Sequence, residues 1–238
     1  MALWHDVAEY IHQDVPHPPF FIDNLLPRGG VLLLYGNAGE MKSFVALHMG
    51  FCIATGIPWL DFNTTQGRCL IMNFEISEAG YHDRLVSMSR NFTVELQKFY
   101  VASLGAKLLD EDNTFSWFVR EFIEPIDPDV IILDCLAKCF GGDENSNQEL
   151  GVFFQKMDIL KENRRGIILI HHCNKNLFIS DAMNRARGGT RLIGDPDTVI
   201  YLTKQPVGKQ LQFGKTRLCP FVVPAKNIVF DNYQWRLR

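Results

Sequence analysis

Short apolar runs alternate along most of the chain with segments of helical length, and this alternation limits the fold more than any other feature. The runs are 31–35, 69–74, 130–134 and 166–170, and the helical segments between them are 43–56, 78–91 and 147–163. Short continuous apolar runs are typical of strands that are buried on both faces. Strands that alternate with helices predict an α/β fold with a mainly parallel central sheet flanked by helices.

The pattern changes after residue 198, where shorter alternating runs are separated by Gly and Pro. These runs are 198–202, 210–213, 221–223 and 227–230. They predict antiparallel strands that extend the sheet at its C-terminal end. Since the sequence contains no internal repeat and no charge block, we expect residues 21–238 to form one domain.

The first 20 residues differ from this domain. Apolar residues recur at helical spacing between Leu3 and Ile11, and prolines at 16, 18 and 19 then end the helix and extend the chain. The pattern predicts an amphipathic arm, residues 1–20, that ends in a stiff linker. Two interpretations stay open, because the arm either packs on its own domain or docks on a neighbouring subunit.

The segment after the first apolar run has the pattern of a phosphate-binding loop. Strand, glycine-rich loop and helix follow one another there, which is the context that a Walker A motif requires. Backbone N–H groups of this loop and of the helix N-terminus would hold the triphosphate of ATP. The predicted nucleotide-binding residues are Gly36, Asn37, Ala38, Gly39, Glu40, Met41, Lys42, Ser43 and Phe44.

Within this phosphate loop, residues 36–43, two side chains carry specific roles. Lys42 would reach the β- and γ-phosphates, and Ser43 would ligate Mg²⁺. Met41 departs from the usual pattern, in which Gly precedes the Lys. Because the loop donates through backbone N–H groups, which Met also has, we expect nucleotide binding to survive provided that φ at Met41 is negative.

Polar residues at the ends of the other apolar runs complete the predicted site. Asp134 closes the run 130–134, as in a Walker B motif, and would hold Mg²⁺ directly or through a water. Glu75 follows the run 69–74 and would orient and deprotonate the attacking water. His171 and His172 end the fourth run; we place His172 at the nucleotide and leave open which of the two senses the γ-phosphate.

Charge and cysteine content exclude some classes of protein. With 24 Lys and Arg against 27 Asp and Glu, no chain-wide basic field exists to hold nucleic acid, so such contacts must be local or multiplied by assembly. The apolar runs fall short of the roughly 20 residues of a membrane span, and the first residues do not resemble a signal peptide, so we expect a cytoplasmic protein. The six cysteines lack zinc spacing and are predicted to be buried small hydrophobes.

From about Leu26 to the C-terminus, the chain resembles the RecA-like hexameric helicases. The likeness is strongest to the RepA-type helicases of plasmids and phages and more distant to the ATPase domain of DnaB-type replicative helicases. The matching segments are 41–47 with 53–59, 142–147 after Asp134, 170–172 with Lys175, and 187–191 with 195–197. The resemblance implies a RecA-like P-loop fold, ATP and Mg²⁺ as cofactors, a homo-oligomer that forms a hexameric ring, and single-stranded DNA in its channel.

The resemblance also assigns roles to basic residues near the end of the chain. Lys215 and Arg217 resemble the K-x-R pair that DnaB-type helicases insert into the ATP site of the neighbouring subunit, where a guanidinium accelerates phosphoryl transfer by about 10³-fold or more. The segment 174–189 matches a loop that faces the channel, which makes Lys175, Arg185 and Arg187 the predicted DNA contacts. The alternatives are a solvated hairpin for the pair and an ordinary surface loop for 174–189.

The leading functional hypothesis is therefore an ATP-driven DNA helicase in replication, encoded by a plasmid or phage and aided by a replication initiator or primase. The main alternative is a RecA-like or regulatory ATPase that assembles on DNA or a protein without unwinding. A small-molecule kinase is less favoured, because we find neither an acceptor site nor an Arg-rich lid. An inactive assembly module is disfavoured by the joint presence of Lys42, Ser43, Asp134 and Glu75.

Overall fold

A nine-stranded mixed sheet with helices on both faces forms the centre of the protein. The computed structural model describes residues 5–16, 18–92, 98–172 and 189–238. The strands are β1 (Phe20–Ile22), β2 (Leu26–Pro27), β3 (Val31–Gly36), β4 (Cys69–Asn73), β5 (Phe99–Ser103), β6 (Val130–Asp134), β7 (Gly166–His172), β8 (Thr198–Lys204), β9 (Lys209–Thr216), β10 (Lys226–Asp231) and β11 (Gln234–Leu237).

The helices are short, and none in the described part of the chain has the length and apolar character to cross a membrane. They are α1 (Val7–Tyr10), α2 (Lys42–Thr55), α3 (Glu78–Ser89), α4 (Asp112–Phe118), α5 (Glu124–Ile126), α6 (Leu136–Cys139), α7 (Asn147–Leu160) and α8 (Arg191–Gly194). A π-helical turn at Val119–Ile123 joins α4 to α5, and a 3₁₀ turn at Glu162–Arg164 follows α7.

The order of strands confirms the predicted fold class. The sheet runs β11-β10-β9-β8-β3-β7-β6-β4-β5, and the six strands from β8 to β5 are parallel. The strands β9, β10 and β11 add antiparallel pairs at the other edge. This is a RecA-like P-loop fold, with antiparallel strands contributed by the C-terminal part of the chain.

Continuous apolar runs form the central strands because both faces of the sheet are covered. Successive side chains of a strand point to opposite faces, so Leu32 and Leu34 enter one core while Leu33 and Tyr35 enter the other. The first core contains α2, which is buried along almost its whole length. A helix of this kind must be covered on its outer side as well, and the β10–β11 hairpin covers it there through the contact of Phe230 with Phe44.

The prediction of a strand at 221–223 is wrong. This run lies in the loop between β9 and β10, with Phe221 57% exposed and Val222 89% exposed. Pro220 and Pro224 flank the run, and proline supplies no N–H donor to a sheet. Strand β10 therefore begins later, with Lys226 opposite Leu211.

The described part of the arm buries none of its residues. All residues from 5 to 16 are exposed, including Val7 and Ile11 on the apolar side of α1. The Asp6 carboxylate caps the helix by accepting a hydrogen bond from the Ala8 N–H at 2.9 Å. This arrangement contradicts the interpretation that the arm packs on its own domain, as far as residues 5–16 are concerned.

The cysteines follow the prediction with one correction. Cys52, Cys69, Cys135 and Cys139 are buried, whereas Cys219 is only partly buried; Cys173 lies outside the described residues. Burial raises the pKa of the Cys52 and Cys135 thiols to about 12, because a thiolate is poorly solvated there. These two thiols are therefore protonated near neutral pH, as small apolar side chains would be in their place.

Candidate nucleotide-binding site

The phosphate loop leaves the carboxyl end of β3 and leads directly into α2. A Cβ atom at Gly36 would lie 2.6 Å from the carbonyl oxygen of Leu202 on the adjacent β8, so only glycine fits at the exit of the strand. Gly39 has a φ of +79°, a conformation that glycine adopts without steric cost. The two glycines of the motif are thus required by the close packing and by the turn.

Met41 adopts a conformation that contradicts the expected negative φ. Its φ is 65° and its ψ is 30°, in the left-handed region, at the residue that precedes α2. This conformation costs a residue with a Cβ roughly 1–2 kcal/mol. The Met41 side chain packs against the core of α2, and this contact offsets part of the cost. The loop therefore needs the same backbone shape that glycine supplies in the usual motif.

Substitutions at position 41 test this strain. We expect Met41→Gly to be more stable than Met41→Ala by about 1 kcal/mol. Both variants lose the thioether contact, but only glycine avoids the cost of the left-handed conformation. The larger conformational entropy of glycine in the unfolded state offsets part of this gain. Chemical denaturation of the two variants measures the difference. Equal stability, or a more stable alanine variant, would contradict a left-handed backbone at this position.

Lys42 lies at the centre of the loop with its ammonium group turned inward. The side chain is almost fully buried, and Nζ donates to the carbonyl oxygens of Gly36 at 2.9 Å and Asn37 at 2.8 Å. Nζ also lies 3.1 Å from Nδ1 of His172. A positive charge held inside a loop of backbone amides is the arrangement that binds phosphate.

Ser43 and Asp134 form a pair that fits Mg²⁺. Burial raises the pKa of the Asp134 carboxyl to about 6, although the Ser43 hydroxyl and the nearby cations Lys42 and Arg84 oppose this rise. The Oδ1 atom of Asp134 is buried and accepts no hydrogen bond from any described residue. A buried carboxylate oxygen without a partner, next to a hydroxyl group, is the donor set that a hard divalent cation requires.

Glu75 and His172 meet beside Lys42. Oε1 of Glu75 lies 3.8 Å from Nε2 of His172, and ligand atoms of both residues and of Cys135 all lie within 4.8 Å of one another. Burial lowers the pKa of His172, and the Lys42 ammonium lowers it further, while Glu75 opposes both effects. A neutral imidazole thus stands between the ammonium that would hold the γ-phosphate and the carboxylate that would face the water.

The structure distinguishes the two neighbouring histidines. His172 faces the phosphate loop, whereas His171 is buried with its Nδ1 atom 4.0 Å from Oε1 of Glu144. Adjacent residues of a strand point to opposite faces of the sheet, so only one of the two can face the phosphate loop. That residue is His172.

Four of these side chains, Lys42, Ser43, Glu75 and His172, line one cleft of about 230 Å³, which we call the phosphate cleft. It lies where the carboxyl ends of β3, β7, β6 and β4 meet, the position at which parallel sheets bind ligands. The residues that line it are Gly39, Met41, Lys42, Ser43, Phe44, Glu75, Ile76, Arg84, Ile170 and His172.

Residues 5–177 match the model of a protein family described as AAA domain. The match covers well over half of the chain and includes the phosphate loop, Glu75, Asp134 and His172. The chain belongs to the AAA domain family. No curated protein matches it. Together with the geometry of the phosphate cleft, membership of this AAA-type family supports a P-loop protein that binds and hydrolyses a nucleotide.

The sequence did not indicate two residues that line the cleft or contact the phosphate loop. Arg84 lies on α3 and places its guanidinium 4.9 Å from the ring centre of Phe44. Lys209, at the start of β9, forms an ion pair with Glu40 of the phosphate loop. No local sequence pattern indicates that a single arginine on an amphipathic helix lines a cleft. The contact of Lys209 with Glu40 cannot be recognised from a local pattern either, because the two residues are 169 positions apart.

Lys215 and Arg217 lie at the opposite edge of the sheet from the phosphate cleft of the same chain. Arg217 donates to Asp197 Oδ1 at 3.3 Å and to the Gly194 carbonyl at 3.0 Å, and Asp197 in turn accepts from the backbone N–H of Val31. Val31 begins β3 and the phosphate loop follows its end, so a strand of about 20 Å separates them. This basic pair, Lys215 and Arg217, cannot reach its own cleft without a large rearrangement.

The predicted DNA-binding residues Lys175, Arg185 and Arg187 lie outside the described residues. The described chain resumes at Gly189, whose N–H donates to the carbonyl of Glu144. The ends of the segment, His172 and Gly189, are therefore both anchored close to the carboxyl edge of the sheet.

Proposed function

We propose that the protein is an ATP-driven DNA helicase or translocase of the RepA type, in which identical subunits share ATP sites. The observation that carries this proposal is the position of the basic pair, at the sheet edge away from the phosphate cleft of its own chain. Such a position is suited to serving the site of a neighbour. A head-to-tail interface of this kind forms a ring when its rotation closes, and the resemblance to hexameric helicases implies six subunits.

Five residues at or beside the cleft have a chemical role in hydrolysis. Glu75 takes a proton from the attacking water, whose oxygen forms a bond to the γ-phosphorus while the bond to the β,γ-bridging oxygen breaks. The Lys42 ammonium exchanges its loop carbonyls for phosphate oxygens and stabilises their charge. Ser43 and Asp134 would hold Mg²⁺, which neutralises the phosphates when bound. His172, between Lys42 and Glu75, reports whether the γ-phosphate is present.

The basic pair completes the site from the neighbouring subunit. Arg217 is 50% exposed on its side chain and is held by carbonyl and carboxylate oxygens at the end of α8, so it is accessible and already aligned. Burial and the Arg217 charge lower the pKa of Lys215. Two adjacent cations that are only partly neutralised gain from contact with a triphosphate.

Assembly into a ring also accounts for the exposed apolar side chains of the arm and reconciles DNA binding with the negative net charge. The exposed apolar side chains of residues 5–16 favour docking of the arm, residues 1–20, on the next ATPase domain, residues 21–238. Six copies of Lys175, Arg185 and Arg187 facing one channel would make it positive in a chain whose net charge is −3. Contacts of this kind follow the DNA backbone and need no sequence. A replication initiator or primase is the further partner that this role implies.

Strand displacement on a forked DNA tests the proposal. With MgATP we expect the protein to unwind the fork, and we expect single-stranded DNA to stimulate ATP hydrolysis. Native mass measurement under the same conditions is expected to show six subunits. Three results together would contradict the helicase: ATP hydrolysis that DNA does not stimulate, no unwinding, and a different number of subunits. They would favour a regulatory ATPase that assembles without unwinding DNA.

A further inference from the structure

We propose that Lys209 is a positioning residue of the ATP site, which neutralises Glu40 and holds it away from the incoming triphosphate. The inference rests on the proposed function in that it takes the phosphate cleft as an ATP site. It adds that a residue of the C-terminal antiparallel strands controls how well the phosphate loop accepts ATP.

The contact itself is an ion pair between Nζ of Lys209 and Oε2 of Glu40. Both side chains are only 13% exposed, so water screens the pair less than it screens a pair on the surface. The two residues are 169 positions apart in the sequence. The pair therefore fixes the phosphate loop to β9.

Without a neutralising partner, the Glu40 carboxylate would repel the phosphates that this loop is expected to bind. It lies two residues before Lys42, in a loop whose function is to surround a group with several negative charges. Repulsion between a unit charge and the phosphates over the width of the loop, at the effective dielectric of a protein surface, weakens binding by about tenfold or more. The Lys209 ammonium cancels this charge and directs the carboxylate towards β9.

The backbone of Lys209 is well placed to hold this position. Lys209 lies opposite Lys204 of β8 and opposite Ile228 of β10, so β9 has a paired strand on both sides at this point. A cation on a fixed strand fixes its partner more effectively than one on a mobile loop.

Lys204 provides a matched control. It lies opposite Lys209 in the register of β8 and β9, is exposed, and carries the same charge at the same edge of the sheet. If Lys209 acted only through the general positive charge of this edge, removing Lys204 would have a similar effect on nucleotide binding.

The test is the affinity of the full chain for a non-hydrolysable MgATP analogue, measured in four variants. We expect Lys209→Met to weaken binding by about tenfold and Lys204→Met to leave it within about twofold of the wild type. The double variant Lys209→Met with Glu40→Gln should recover most of the lost affinity, because no unpaired charge remains. Lys209→Arg should bind as the wild type does. In turnover, Lys209→Met should raise KM more than it lowers kcat.

The outcomes separate this proposal from the proposed function. If the wild type binds the analogue and Lys209→Met binds it equally well, the positioning role is wrong and the ATP site stands. Loss of affinity that Glu40→Gln does not recover would mean that Lys209 acts only through the stability of the fold, and would also overturn the proposal. A wild-type chain that binds no nucleotide would overturn both. Thermal unfolding of every variant identifies those that fail to fold.

Discussion

Replacement of Lys42 by alanine is expected to lower the rate of ATP hydrolysis by at least about 10²–10³-fold, the loss typical when one preorganised donor to the reacting oxygens is removed. Among the described residues, the cations that line the phosphate cleft are Lys42 and Arg84. Only Lys42 extends from the phosphate loop itself, and its ammonium already occupies the centre of that loop. Steady-state phosphate release in the assembled protein measures the effect.

The loss must be separated from a loss of stability. In the free protein, Lys42 Nζ satisfies the carbonyl oxygens of Gly36 and Asn37, and an alanine leaves them without this donor, at a cost of about 1–3 kcal/mol for a buried acceptor. Thermal unfolding measures that cost separately. Lys138→Ala, which removes an exposed lysine on α6, serves as a control and should retain hydrolysis. A Lys42→Ala protein that hydrolyses ATP at the wild-type rate would place the reaction outside the phosphate cleft.

The central strands can be predicted from the sequence because burial on both faces leaves runs that are almost entirely apolar. Strand β6 ends in Asp134 and β3 ends in the phosphate loop, so both the sheet and its functional edge follow from local patterns. Strand β5 was missed because it is an edge strand, whose Tyr100 and Val101 are exposed and whose run is less apolar. The false strand at 221–223 shows the reverse error, since its apolar residues are flanked by prolines.

The finer geometry depends on contacts between distant parts of the chain. Strand alternation allows only one of His171 and His172 to face the phosphate loop, and the choice depends on the register with β3, where His172 pairs with Gly36. The left-handed conformation of Met41 depends on how the loop joins α2. The pair of Lys209 with Glu40 depends on where β9 lies in the sheet. No local pattern encodes any of these three features.

Subunits that each lack one part of the shared site are expected to restore hydrolysis when they are mixed. Arg217→Ala alone should lose about 10³-fold in rate, by analogy with measured arginine fingers, and Glu75→Ala alone about 10²-fold or more. In an equal mixture, half of the sites retain Glu75, and half of those face a subunit that retains Arg217. About a quarter of the interfaces of a head-to-tail ring are then complete, so activity should rise to about a quarter of the wild-type rate.

A second mixture provides the control. Lys42 and Glu75 lie in one cleft, so mixing Lys42→Ala with Glu75→Ala subunits creates no complete site and should give no recovery. Native mass measurement of subunits with different tags establishes that both mixtures assemble together. Since Arg217 is half exposed and its ion pair with Asp197 is worth little, its loss should not prevent folding.

The comparison of the two mixtures decides between a shared site and a site within one chain. If Arg217 served its own cleft, each mixed assembly would contain only damaged sites, and both mixtures would stay inactive. Recovery in the first mixture alone requires that the basic pair of one subunit acts on the nucleotide of another. Arg217 lies about the length of β3 away from the phosphate loop of its own chain. That result would therefore mean that an isolated subunit hydrolyses ATP poorly because its own Arg217 cannot reach its cleft.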